Sequence, residues 1–380
     1  MIRLVPGSHA YRIVKLLLLT GEFPFRSLGI LGDTRTVKAV VMRMTEVHDV
    51  REETGVHHYH GRLLGVSGKG ALKTIRLQKY AFPFLRSILP EQMAYYDDTF
   101  YDHHFRGQEE AIVRHHRIAE VIAMCMESGI EPDPNRNRQL QNTRHLRLCF
   151  SEPAFYNSRY LKSLGREEMN KTKYTRMAGA IYYQTGCYAV YNTRSSLMKW
   201  SGEGEYKMLL DLNDICRLNT FISDVKSALL FGHSYEIALK TIRFHQSGSR
   251  TETALSGKYT SFHFIPQNDI GKKLLRMLTI PNWRARLYEL IFEPESIVEN
   301  GIFAYDALED DEYILCFMDS DIAKLSSFIQ SIRTTDYRWS VLCFREQVPF
   351  LRSFLGDEAI IRSHRLDDVL EELLREGRNM

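Results

Sequence analysis

Three short helical segments separated by hard stops fill residues 8–46, and this succession restricts the N-terminal region to a small three-helix module. Ser8 can accept a hydrogen bond from the first turn of a helix over residues 9–20, where Ile13, Val14, Leu17 and Leu18 recur at helical spacing, and Gly21 ends it. Pro24 suits the start of a second, shorter helix over 25–31 that stops at Gly32. Asp33 or Thr34 caps a third, which runs to about Glu46. At about 100° per residue, Val37, Val40, Val41 and Met44 share one side of it. Arg35, Thr36, Lys38, Ala39, Met42 and Arg43 form the other.

A helix-turn-helix module needs a third helix that brings cations to phosphates and short side chains to bases, which makes Arg35, Thr36, Lys38 and Arg43 the expected DNA-contacting residues. Two strand-like pieces follow, residues 47–50 and 56–66, joined by turn-forming residues 51–55; this hairpin is read as the wing. Glu52 and Glu53 at its tip would repel phosphate, so it is expected to brace the fold. Arg62, Lys69, Lys73 and Arg76 come next, with the last three expected to hold phosphate and Ser67 expected to cap a further helix. Residues 1–80 therefore read as a winged helix-turn-helix domain for double-stranded DNA, bound in the major groove as a homodimer on a repeated or inverted site. A protein-interaction scaffold with a solvated basic face is the alternative from the same residues.

Charge supports this only by its placement. Fifty Lys and Arg against 47 Asp and Glu leave a net charge of +3, too little by itself to argue for nucleic acid. Basic side chains crowd residues 12–86 and 136–176, whereas acidic ones gather at Glu309, Asp310, Asp311 and Glu312 and at Asp367, Asp368, Glu371 and Glu372. The longest purely apolar run near the N-terminus covers residues 16–19, far below the roughly 18 a membrane span needs. A cytoplasmic protein without membrane partners is expected. Six dispersed cysteines show no metal-binding spacing, so no structural zinc is expected.

At 380 residues the chain exceeds one ordinary core. Aromatics and prolines over 81–107 suggest a linker. Residues 108–129 form an amphipathic helix carrying Ile112, Val113, Ile118, Val121, Ile122 and Cys125, and they open an α/β domain expected to extend to 245. In the last part, 246–380, strands at 313–318, 339–344 and 358–362 alternate with helices at 322–332, 348–354 and 366–375, which predicts parallel pairing. The fold class expected is mixed α/β and multidomain. Asp319 and Asp321 lie at a strand end, where helix capping is their expected role.

Enzymatic readings are thin. Glu205-Tyr-Lys207 opens an apolar segment, 206–212, read as a strand, and Glu120 lies on the preceding long helix. This is similar to the E…D…E-x-K plan of restriction-type nucleases, in which carboxylates hold Mg²⁺ and the Lys steadies the attacking water. Asn192 stands where that plan wants an Asp, so the middle domain is read as nuclease-like and inactive, with Mg²⁺ implied only if a nuclease is active after all. His58-Tyr-His60 beside Tyr95, Tyr96 and Tyr101 offers two metal-type ligands and a tyrosine nucleophile, but no third ligand. His103-His104 and His115-His116 are adjacent pairs, splayed on a helix. Ser195 and Ser196 lack the glycines of a nucleophile elbow. Tyr156, Arg159, Tyr160, Lys162, Arg166, Lys171, Lys173, Tyr174 and Arg176 interleave rings with cations as a single-strand track or a solvated face would. No catalytic residue, metal or cofactor is assigned.

The order of a winged helix, a long helix opening Val113-Arg-His-His-Arg-Ile-Ala-Glu-Val121, and the segment from Tyr188-Ala-Val-Tyr-Asn-Thr-Arg194 through Trp200-Ser-Gly-Glu-Gly-Glu-Tyr-Lys207 resembles the replication-relaxation group of Gram-positive plasmids and integrative conjugative elements. The resemblance covers about the first 240 residues. It implies a DNA-binding accessory or regulatory protein of a mobile genetic element, acting in plasmid replication, mobilisation for conjugation, or transcriptional control. Relaxosome or replication proteins would be its partners, and the middle domain would be a degenerate restriction-endonuclease-like fold.

Overall fold

The computed structural model describes residues 1–100, 108–140, 147–164, 176–197, 203–247, 258–298, 303–333 and 335–376. The chain is mixed α/β and divides into two compact units, Met1–Gln139 and Leu140–Met380.

The first unit opens with β1 (Ile2–Leu4) and α1 (His9–Thr20). Ser8 accepts the Tyr11 N–H at 3.2 Å, and the Gly21 N–H closes the other end on the Leu17 carbonyl. Apolar residues on nearly every side make α1 the central helix of the unit, with Ile13, Val14, Leu16, Leu17 and Leu18 fully buried. Next come β2 (Glu22–Pro24), a 3-10 helix (Phe25–Leu31) and α2 (Thr34–Met44). Asp33 caps α2 by accepting the Thr36 N–H at 2.9 Å. Val37, Val41 and Met44 are fully buried beneath it, each stabilising the unit by roughly 1.5–3 kcal/mol.

Six strands of this unit form two separate sheets. β3 (His48–Glu52) and β4 (His58–Gly61) form a hairpin at the expected place, but the second strand expected over 56–66 is broken after Gly61, its end passing to the other sheet, and β3 pairs in parallel with β1. β5 (Leu64–Ser67) and β6 (Thr74–Leu77) form a second hairpin, and β6 pairs antiparallel with β2, giving the order β2-β6-β5. The stretch expected to be a linker holds α3 (Phe82–Ile88) and α4 (Pro90–Thr99), whose Phe82, Met93 and Tyr96 are core residues; residues 101–107 lie outside those described. The long amphipathic helix is present as α5 (Glu109–Glu127), but it belongs to the first unit: its Glu127 pairs with Arg12 of α1 at 2.6 Å. The expected boundaries at 80 and 107 are therefore replaced by one at 139.

The second unit begins with β7 (Ala154–Asn157), α6 (Ser158–Leu164), β8 (Met177–Tyr183) and β9 (Gly186–Arg194). β7, β8 and β9 form an antiparallel meander. Through α7 (Glu203–Asn219), β10 (Ser227–Gly232), α8 (Tyr235–Gln246) and β11 (Ser261–Pro266) the sheet continues in parallel, ending in the order β11-β10-β9-β8-β7. This sheet runs through the expected boundary at 245, because β11 needs β10 as its hydrogen-bonding neighbour. After α9 (Asp269–Leu278) and α10 (Trp283–Ile291) comes a second sheet of β12 (Ala307–Glu309), β13 (Glu312–Cys316), β14 (Arg338–Phe344) and β15 (Ile360–His364). Its last three strands are parallel and alternate with α11 (Ile322–Ile332), α12 (Val348–Leu355) and α13 (Leu366–Glu376), as the strand-helix alternation predicts. One apolar core links both sheets, with Phe264 of β11, Phe317 after β13 and Phe328 of α11 among its members. Among the described residues no helix is long and apolar enough to cross a membrane.

Candidate nucleic-acid interface

The outer side of α2 carries Arg35, Thr36, Lys38, Ala39, Met42 and Arg43, all exposed. Helical periodicity sets these six within an arc of roughly 160°, opposite the buried Val37, Val41 and Met44. Among the described residues no acid pairs with the Arg35 guanidinium or the Lys38 ammonium. Arg43 donates one N–H to the Met1 carbonyl at 2.8 Å. Thr36 donates its hydroxyl to the Asp33 carboxylate at 2.8 Å, so beyond the cap it offers a methyl group and an acceptor. The backbone N–H and the hydroxyl of Thr36 together hold the Asp33 carboxyl below its usual range, the backbone N–H contributing most.

The four other basic positions divide into three kinds. Arg62 and Lys69 are exposed, and Lys69 stands in the β5–β6 loop. That loop turns at Gly68, where φ is +73° and an added Cβ would lie 2.4 Å from the Leu72 carbonyl oxygen. Lys73 is half-buried, its ammonium 4.2 Å from the centre of the Phe25 ring. Arg76 is spent internally: its Nε and terminal N–H lie 2.9 and 2.6 Å from one oxygen of the buried Glu22 across the β2–β6 pair. It is withdrawn from the phosphate-holding set, because a guanidinium held by a buried carboxylate gives no net positive charge to a ligand. Ser67 caps no helix either; its hydroxyl meets that of Thr74 at 3.0 Å, and only a single 3-10 turn, Gly70–Leu72, follows.

No family model matches the chain, and neither a curated protein nor a solved structure matches it.

Glu120, Glu205 and Lys207 fall in different units and different surroundings. Glu120 is buried in the first unit and accepts the Ser27 hydroxyl at 2.6 Å, whereas Glu205 and Lys207 belong to the second. The segment expected to be a strand is the helix α7, on which positions two apart point roughly 200° from each other. Accordingly Glu205 is buried and accepts the Arg176 N–H at 2.6 Å while Lys207 is exposed. Asn192 is buried on β9, its side-chain oxygen taking the Arg194 N–H at 3.0 Å.

Tyr156 is buried and the hydroxyl oxygen of Tyr160 accepts the Leu140 N–H at 3.0 Å, so these rings serve the core; Arg166, Lys171, Lys173 and Tyr174 lie outside the described residues. Tyr101, His103 and His104 also lie outside them. His58 and His60 stand exposed on β4, with His60 2.8 Å from Asp49. His115 points one ring nitrogen at the Thr20 carbonyl and His116 is buried 4.0 Å from Glu22.

Among the described residues the one trio of side chains close enough to share a cation is His263, Asp319 and Asp321, all buried. Each member is engaged by groups of the chain itself, although His263 Nε2 is buried without a hydrogen-bond partner among the described residues. His263 Nδ1 is 2.9 Å from the Asp319 carbonyl oxygen, a bond that puts the proton on Nδ1 and removes its lone pair. Asp319 takes Arg284 at 3.2 Å and the Asp321 N–H at 3.0 Å. Asp321 accepts the N–H groups of Phe262, Ala323 and Lys324, each at 3.1 Å, and so caps α11 as the sequence predicts. The cluster fastens β11 to the loop after β13. His263 escaped sequence reading because it lies 56 positions from Asp319, on another sheet.

Proposed function

We propose that residues 1–80 form a winged helix-turn-helix that binds double-stranded DNA, with α2 in the major groove. The observation that carries this is topological: α1, β2, the 3-10 helix, α2, β5 and β6 follow in chain order and the strands lie as β2-β6-β5, while α2 turns Arg35, Lys38, Ala39 and Arg43 to solvent. In this reading the wing is the β5–β6 loop with Lys69, and the β3–β4 hairpin is an insertion between the recognition helix and the wing. Arg35, Thr36, Lys38 and Arg43 read or position; Arg62, Lys69 and Lys73 meet phosphate.

The second unit is read as nuclease-like and inactive. In support, β7-β8-β9 is an antiparallel meander followed by parallel β10, and β8 and β9 carry no Asp or Glu. The wider role, an accessory or regulatory protein of a mobile genetic element acting with replication or relaxosome proteins, rests on the resemblance alone; the dimer follows from the winged-helix reading and the cytoplasmic location from the short apolar runs of the sequence. Selection of duplexes from a random library by the full-length protein tests the reading: it expects a short enriched sequence, often repeated or inverted, that disappears with Arg35→Ala and Lys38→Ala combined. Absence of enrichment by the native protein counts against it.

A further inference from the structure

The sheet β1-β3-β4 aligns like charges in a way that folding alone does not favour. Parallel pairing of β1 with β3 sets Arg3 beside Arg51, and antiparallel pairing of β3 with β4 sets Arg51 beside His58. Strand alternation sends all three to the same exposed face, since Ile2, Leu4 and Val50 occupy the other and are buried. Neighbours in such a row have Cβ atoms about 5 Å apart, and like charges placed directly opposite are destabilising. Among the described residues no acid forms an ion pair with Arg3, Arg51 or His58; Asp49, in the next row, attracts Arg51 along the strand but is held by His60 at 2.8 Å. The row also adjoins α2, because Arg43 reaches the Met1 carbonyl at 2.8 Å, two residues before Arg3.

We infer that Arg3, Arg51 and His58 form a second contact strip for the phosphates of duplex DNA, extending the footprint of α2 along the backbone on the side of its C-terminal end. The inference rests on the DNA-binding reading above and assigns the β3–β4 insertion a role in it in place of the bracing role expected from Glu52 and Glu53: Glu52 lies on the opposite face of β3, paired with Leu4, and Glu53 stands beyond the strand. Two aligned guanidiniums with an imidazole beside them suit a polyanion whose charges repeat along a line, and they carry no means of telling one base from another. The strip therefore adds affinity without sequence preference.

Full-length protein carrying Arg3→Gln and Arg51→Gln, compared with native protein on the same duplex across a salt series, provides the test. Loss of both contacts lowers the slope of log affinity against log salt by about 1 to 2, weakens selected and unrelated duplexes equally, and leaves the selected sequence unchanged; Arg3→Lys with Arg51→Lys restores the slope. A native slope in the Gln variant, with binding still lost on Arg35→Ala and Lys38→Ala, overturns the strip and leaves the α2 reading standing. If native protein shows no salt-dependent duplex binding at all, both fall together.

Discussion

Arg76 and Glu22 face each other across the β2–β6 pair, and both the Nε and a terminal nitrogen of the arginine bond to one carboxylate oxygen, at 2.9 and 2.6 Å. The carboxylate side chain is 3% exposed, so removing its partner strands a buried charge. Arg76→Ala should cost about 3 kcal/mol of stability in urea unfolding while leaving the salt slope of DNA binding where it was. Replacing both residues with apolar side chains of like size should recover most of that loss. A reduced salt slope in Arg76→Ala would return this residue to the DNA-contacting set.

Gly68 supports the loop that carries Lys69. A non-glycine residue at its φ of +73° costs roughly 1–2 kcal/mol, and the Leu72 carbonyl 2.4 Å from a would-be Cβ adds a clash. Gly68→Ala is expected to lower the melting temperature and to speed hydrogen exchange in residues 64–77 ahead of α1. Unchanged exchange there would contradict the strain assigned to this turn.

Asp33 links the start of α2 to pH. Hydrogen bonds from Thr36 depress its folded pKa below the ordinary value of 3.8. A depressed folded value means the stabilisation is complete above the unfolded pKa and is lost as pH falls through the folded one. Asp33→Asn keeps an acceptor for the Thr36 N–H, so it should match the native protein near neutrality and lose less stability on acidification. Equal acid losses in the two proteins would show that this carboxylate does not contribute.

Glu205 and Lys207 should respond to substitution as unrelated positions on α7. Lys207→Ala, at an exposed site, should change stability by no more than about 0.5 kcal/mol. Glu205→Ala leaves the Arg176 N–H without its acceptor and should cost about 1–3 kcal/mol. Neither effect should depend on Mg²⁺ in thermal melts; a magnesium-dependent stabilisation abolished by either change would revive the nuclease reading.

The N-terminal helices were legible because their boundaries are set by local chemistry: Ser8, Gly21, Pro24, Gly32 and Asp33 act within a turn of where they stand. The parallel strands β13, β14 and β15 were legible because each alternates with an amphipathic helix. What failed depended on distant partners. The hairpin after α2 was found, but β1 claimed it, and which hairpin pairs with β2 is a matter of register that no local pattern records. α7 was read as a strand because its apolar residues are nearly continuous, a pattern shared by buried strands and buried helices. Arg76 looked like Lys69 in the sequence; only the fold brings Glu22 to one and leaves the other exposed.

The most direct measurement is the affinity of the full-length native protein for a mixed-sequence duplex across a salt series, repeated with Arg35→Ala and Lys38→Ala together. A winged helix that places α2 in the groove predicts a linear fall of log affinity with log salt, and a double variant whose slope is smaller by about 1 to 2. Native protein that does not bind duplex at low salt, or a double variant that binds with the native slope, contradicts it.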